Sequence, residues 1–182
     1  MSGRLCVRAM AAVALIAYMS GCDQEMLNQS EFLNPSHLTE RESDIARTFD
    51  EAIVLLPGQQ GQEPLKGKLS SGVIRQRLAS SPSGWRYPTI LFMHGCVGYG
   101  SFKPIQAFAR AGFAVIAPNS FARRYRPLQC RPSEKTGGRN IFIYDFRLLE
   151  ISYALQRMAN ISWIDNDRLF LVGTSEGGVA AA

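Results

Sequence analysis

The residues of this chain that point most directly to chemistry are Gly173-Thr174-Ser175-Glu176-Gly177. A serine flanked by glycines two positions either side fits a G-x-S-x-G turn, which pushes the hydroxyl into the open between a strand and a helix. The context agrees. The apolar run Leu169-Phe170-Leu171-Val172 comes before it, and the small residues Gly178, Val179 and Ala180 begin a helical segment after it. The glycines remove side chains that would clash in so tight a turn, and the helix N-terminus behind the serine favours developing negative charge. The chemistry expected is attack by Ser175, as nucleophile, on an acyl carbon.

A second motif, His94-Gly95-Cys96-Val97-Gly98, directly follows the apolar run Thr89-Ile90-Leu91-Phe92-Met93. Acyl transfer passes through a tetrahedral intermediate whose oxyanion needs two N–H donors. One is expected from the residue after the nucleophile, Glu176, and the other from the loop after the earlier strand. Within that loop the donor is Cys96, with Val97 as the alternative. Gly95 and Gly98 let the backbone approach the substrate closely. His94 could be read as a catalytic base, but a histidine heading an H-G loop is expected to support that loop through hydrogen bonds.

Positioning these motifs requires a sheet. The runs at 89–93, 169–172 and Phe113-Ala114-Val115-Ile116-Ala117 do not alternate, which suits strands buried on both faces and covered by helices. Between the first two in chain order, Ser101 is placed to cap a helix running to Ala111, with Gly112 as its left-handed stop. A longer helix is expected from Ile143 to Ala159, its apolar stripe formed by Tyr144, Leu148, Ile151, Leu155 and Met158. Upstream, 52–56 and 65–78 read as two shorter strands in an antiparallel lead-in. The whole predicts an α/β fold with a mostly parallel sheet and crossover helices.

The stretch Tyr87-Pro88-Thr89-Ile90-Leu91-Phe92-Met93-His94-Gly95-Cys96 resembles the third strand and oxyanion loop of the dienelactone hydrolase-like α/β hydrolases. Ser162-Trp163-Ile164-Asp165-Asn166-Asp167-Arg168-Leu169, continuing to Gly178, resembles their approach to the nucleophile elbow. The similarity spans about residues 65–182 and implies hydrolysis of an ester, lactone or related acyl bond, with no metal or organic cofactor. True dienelactone hydrolases carry a cysteine nucleophile where this chain has Ser175, so a small-molecule acyl ester is the expected substrate rather than a dienelactone. In this fold the acid and the histidine follow the nucleophile. Only seven residues follow Ser175, and the two histidines, His37 and His94, both precede it. The expectation is therefore a C-terminally incomplete hydrolase domain, inactive on its own. The alternative is a non-catalytic hydrolase-like remnant or binding protein.

The first 21 residues read as a secretion signal. Arg4 and Arg8 precede the apolar run from Met10 to Tyr18, which is well short of the roughly 20 residues a spanning helix needs. Met19-Ser20-Gly21-Cys22 resembles a bacterial lipobox, which makes Cys22 the candidate lipidation site and membrane attachment through acyl chains the expected anchor. Asp23 resembles an inner-membrane retention signal, placing the protein on the periplasmic face of a Gram-negative inner membrane. Residues 22–48 read as a tether, and 49–182 as the partial domain. With Cys6 in the signal and Cys22 lipidated, Cys96 and Cys130 remain to pair in an oxidising compartment.

The 182 residues are 46% hydrophobic, with a net charge of +5. That mild excess and the lack of a binding motif give no reason to expect a nucleic-acid partner. Arg123, Arg124, Arg126, Arg131, Lys135 and Arg139 cluster in a Pro- and Gly-rich loop, which reads as a solvated basic surface or, alternatively, as a site for an anionic group.

Overall fold

Seven residues, Tyr87–Met93, form the strand around which the sheet is built (β3), and all but Pro88 are buried. The computed structural model describes residues 38–59, 62–124, 126–127, 129–130, 140 and 142–182. The chain divides into two units, Met1–Glu42 and Ser43–Ala182. Of the first, only 38–42 are described, as the opening of helix α1 (Leu38–Asp50). The segment expected to be a secretion signal, and Cys22, lie outside the described residues.

In the second unit β1 (Ile53–Leu56), β2 (Leu65–Lys68), β3, β4 (Ala114–Ala117) and β5 (Ile164–Gly173) form one sheet in the order β2-β1-β4-β3-β5. β3 pairs parallel with β4 and β5, while β1 pairs antiparallel with both β2 and β4. Strand β1 alone therefore runs against the other four. Helices α2 (Gly72–Ala79), α3 (Lys103–Arg110), α4 (Ile143–Met158) and α5 (Glu176–Ala181) complete a mixed α/β fold. Among the described residues no helix is long and apolar enough to cross a membrane.

The apolar runs of β3 and β4 do not alternate because both of their faces are covered. Leu91, Met93, Ala114 and Ile116 enter one core with Phe49, Ile74, Ile151 and Met158. Their neighbours Ile90, Phe92, Val115 and Ala117 enter another with Ile105 and Ala109 of α3. Helix α3 stops where expected: Gly112 takes φ +96°, and its N–H donates to Ala109 O at 3.2 Å. Ser101 Oγ accepts from Lys103 N–H at 3.3 Å, just ahead of the first turn.

Four expectations need correction. The segment 65–78 is a strand only to Lys68; the chain then turns, Ser71 N–H and Oγ both donating to Lys68 O, and α2 folds back over Gly67. The stripe expected on α4 is right at Ile151 and Met158 but wrong at Leu148 and Leu155. Leu148 is 52% exposed and Leu155 36%, while Ile143, Arg147, Glu150, Ile151, Ala154 and Met158 are buried. Strand β5 is longer than its apolar run and is not buried on both faces; it flanks the sheet, with Phe170 and Leu171 exposed. The packed unit also begins upstream of residue 49: Asp44 and Thr48, expected in the tether, are buried, and Thr48 O accepts from Asn119 N–H at 2.8 Å.

Candidate active site

The turn between β5 and α5 puts Ser175 at φ 53°, ψ −124°, the one positive φ outside glycine among the described residues. A non-glycine residue held there costs about 1–3 kcal/mol and persists only where its surroundings enforce it. The enforcement is visible. A Cβ on Gly173 would lie 2.2 Å from Gly177 O, and one on Gly177 would lie 2.2 Å from Met93 O and 2.5 Å from His94 O. The two glycines of the motif are thus required by backbone packed against backbone. Thr174 N–H donates to Met93 O at 3.1 Å, Gly177 N–H to Thr174 O at 3.0 Å and Val179 N–H to Ser175 O at 3.0 Å. The serine itself remains exposed.

The His94–Gly98 loop lies directly on this turn. A Cβ at Gly95 would meet both Ser175 Cβ and Thr174 O at 3.3 Å. The loop closes on itself through Gly98 N–H donating to Gly95 O at 3.0 Å, with Gly98 at φ +97°. Cys96 is joined to Cys130 by a disulfide, Cα–Cα 5.6 Å, which fastens the loop to the segment following β4.

His94 is fully buried. Its Nε2 accepts from Ser120 N–H at 3.0 Å, so Nδ1 carries the proton and donates to Gly95 O at 2.7 Å. The ring stacks on Phe121 at 5.2 Å and meets Tyr99 edge-on at 4.9 Å. Burial, reinforced by the Arg147 charge, lowers its pKa to about 4. Both nitrogens are committed, so this imidazole is a neutral support. Gly95 C=O belongs to the peptide whose N–H is that of Cys96. The Nδ1–H bond therefore fixes the direction of the expected oxyanion donor.

Behind the turn lies a group of buried charges that the sequence reading missed. The Glu176 side chain is buried; Arg126 Nη2 donates to its Oε1 at 2.5 Å, and Arg147 Nε lies 3.5 Å from the same oxygen. Arg147 is wholly buried on α4. Its Nη1 donates to Glu150 Oε2 at 2.7 Å and its Nη2 to His94 O at 2.8 Å. Glu150 Oε1 accepts from Ser120 Oγ at 2.8 Å and from Arg123 Nη1 at 3.3 Å, and Arg123 Nε donates to Asp44 Oδ2 at 3.2 Å. Burial pulls the Arg147 pKa below its usual value, and Glu150 and Glu176 oppose that pull. Arg123 and Arg126 are thus neither a solvated surface nor free to meet an anion. Arg124 is exposed, its N–H donating to Asp44 Oδ1 at 2.6 Å, while Arg131, Lys135 and Arg139 lie outside the described residues. One signal could have revealed the cluster: Ile143, Ile151, Ala154 and Met158 share a helix face that passes through Arg147.

The arrangement supplies an exposed serine beside a loop whose peptides are held in fixed directions. Among the described residues it supplies no free imidazole, and no group of three or more His, Cys, Asp or Glu side chains could hold a metal ion. Comparison with known proteins adds nothing to this geometry: no family model, curated protein or solved structure matches the chain.

Proposed function

We propose that this chain carries the nucleophile and oxyanion hole of a serine acyl hydrolase of the α/β-hydrolase type, acting on small ester or lactone bonds. The observation that carries the reading is Ser175 at φ 53° between two glycines that the packing requires, with the Gly95 backbone against its Cβ. In this reading Ser175 attacks the acyl carbon, and the N–H groups of Cys96 and Glu176 receive the oxyanion. A serine hydroxyl is a poor nucleophile at neutral pH without a base. With His94 committed at both nitrogens, the base and its orienting acid come from outside the described residues.

The test uses the product of the native gene with any sequence downstream of codon 182 retained. It should hydrolyse p-nitrophenyl acetate, and Ser175→Ala should remove several orders of magnitude of turnover, about 10⁴-fold or more. A Ser175→Ala product as active as its parent would mean the wrong nucleophile has been named. The commitment of His94 also favours a second reading, a non-catalytic binding protein on the same scaffold; a native product that neither turns over esters nor reacts with a fluorophosphonate at Ser175 would establish it over the first. We place either form on a lipid anchor at Cys22, on the strength of Met19-Ser20-Gly21-Cys22. Labelled palmitate should enter the protein in a Gram-negative host and be lost in Cys22→Ser; equal labelling of both removes the anchor.

A further inference from the structure

We propose that Arg147 is a positioning residue for the oxyanion hole, one buried guanidinium tying the loop that carries Cys96 to the elbow that carries Glu176. The inference rests on the acyl-hydrolase reading. The two donors lie on separate segments, one after β3 and one after β5, and must converge on a single oxygen. Preorganised donors stabilise an oxyanion only when they are held in place before the charge develops.

Each edge of the Arg147 fork faces a different structure. Nη2 donates to His94 O at 2.8 Å, Nη1 to Glu150 Oε2 at 2.7 Å, and Nε lies 3.5 Å from Glu176 Oε1. Two consecutive peptides of the loop are thereby gripped. Arg147 holds the His94 carbonyl, and the His94 ring holds the Gly95 carbonyl at 2.7 Å, opposite the Cys96 N–H. On the elbow, the Glu176 carboxylate accepts from Arg126 Nη2, while Arg147 Nε faces the same oxygen across 3.5 Å as an ion pair without a hydrogen bond. Glu150 anchors the guanidinium to its own helix, one turn along. A fully buried arginine is rare on a helix face whose apolar occupants are Ile143, Ile151, Ala154 and Met158. Only a planar fork reaches three partners in three directions; a lysine ammonium at the same depth is a point charge.

Arg147→Lys keeps the charge and removes the fork. Amide exchange on the intact chain reads the two arms separately, through Gly98 N–H, which closes the loop on Gly95 O, and through Gly177 and Val179 N–H, which close the elbow. In Arg147→Lys these amides should exchange at least about tenfold faster while Val115 and Ile116 in β4 keep the parent rate. Unchanged exchange in both arms overturns the proposal, as does acceleration that reaches β4 equally. Should Arg147→Lys fail to fold, Arg147→Met combined with Glu150→Gln removes one charge of each sign and is read by the same amides against the same criteria. In the active native gene product Arg147→Lys should lose about ten- to a hundredfold in kcat with KM nearly unchanged. If Ser175→Ala abolishes turnover but Arg147→Lys keeps its kcat, the hydrolase reading stands and the positioning role falls. If Ser175→Ala stays active, the hydrolase reading falls and takes the oxyanion role of Arg147 with it.

Discussion

At the front of the candidate site, where Ser175 meets the His94–Gly98 loop, position is enforced by main chain packed too closely for a Cβ at Gly173 or Gly177. Behind it, position is enforced by side-chain charges: Asp44, Glu150 and Glu176 against Arg123, Arg126 and Arg147, all buried or nearly so. The two regions share the His94 carbonyl, which limits Gly177 from the front and accepts Arg147 from behind. Steric enforcement is short-ranged and insensitive to solvent conditions. Ionic enforcement depends on every member keeping its partner, because a buried charge left alone costs far more than the pair contributes. The same site is thus fixed once by shape and once by charge, and the two can be broken separately.

The largest effect is expected at the front. Gly177→Ala puts a methyl group 2.2 Å from Met93 O, a backbone atom in the interior strand β3 that cannot rotate away. A loss of about 4 kcal/mol or more is expected in urea unfolding, with outright failure to fold at the upper end. A loss under 1 kcal/mol would show that the elbow relaxes and that shape does not hold it. At the back, Glu150→Ala deprives Arg147 and Arg123 of a shared carboxylate. About 3 kcal/mol should be lost, in the range for breaking a buried pair. The paired change Arg147→Met with Glu150→Leu should cost less, since it leaves no charge of that pair behind and Arg123 keeps Asp44. If the double variant is as unstable as Glu150→Ala, volume rather than charge holds the back.

The difference between the two regions also decides what could be read from the sequence. The elbow, the H-G loop and the strands leading to them are contiguous motifs, and each was placed by local pattern alone. The cluster is not contiguous: Arg123 meets Asp44 across 79 positions and Arg126 meets Glu176 across 50. Nothing local distinguishes those charges from ordinary solvated ones, and charged residues are surface residues by default. The same default shifts the expected stripe on α4, because ranking positions by apolarity selects Leu148 and Leu155 and passes over Arg147 and Glu150, although Ile151 and Met158 are placed correctly. Apolarity also misled at β5, where Phe170 and Leu171 read as doubly buried yet flank the sheet. In 65–78, Leu65, Leu69, Val73 and Leu78 were read as strand. The turn at Lys68–Ser71, sealed by the Ser71 hydroxyl, starts a helix instead.

The smallest effect is expected where front and back meet, in the protonation of His94. Folded, its pKa is about 4, against 6.5 for the free side chain, with burial the main cause and the Arg147 and Arg126 charges adding to it. Between those two values the unfolded chain binds a proton that the folded chain refuses, so stability rises with pH across the window. The contribution is fully present above pH 6.5 and lost as pH falls through 4. From pH 7 to pH 5 it amounts to about 2 kcal/mol, at 1.36 kcal/mol per pKa unit. Urea midpoints measured across that range should fall in the parent and fall distinctly less in His94→Gln. Equal slopes would mean that His94 titrates normally. Its two hydrogen bonds would then not fix a neutral tautomer, and the imidazole would return as a candidate base for Ser175. A steeper parent slope leaves His94 as the hinge between the shape-held front and the charge-held back, uncharged because burial and the Arg147 charge oppose protonation, with Ser120 N–H on the one lone pair a proton could take.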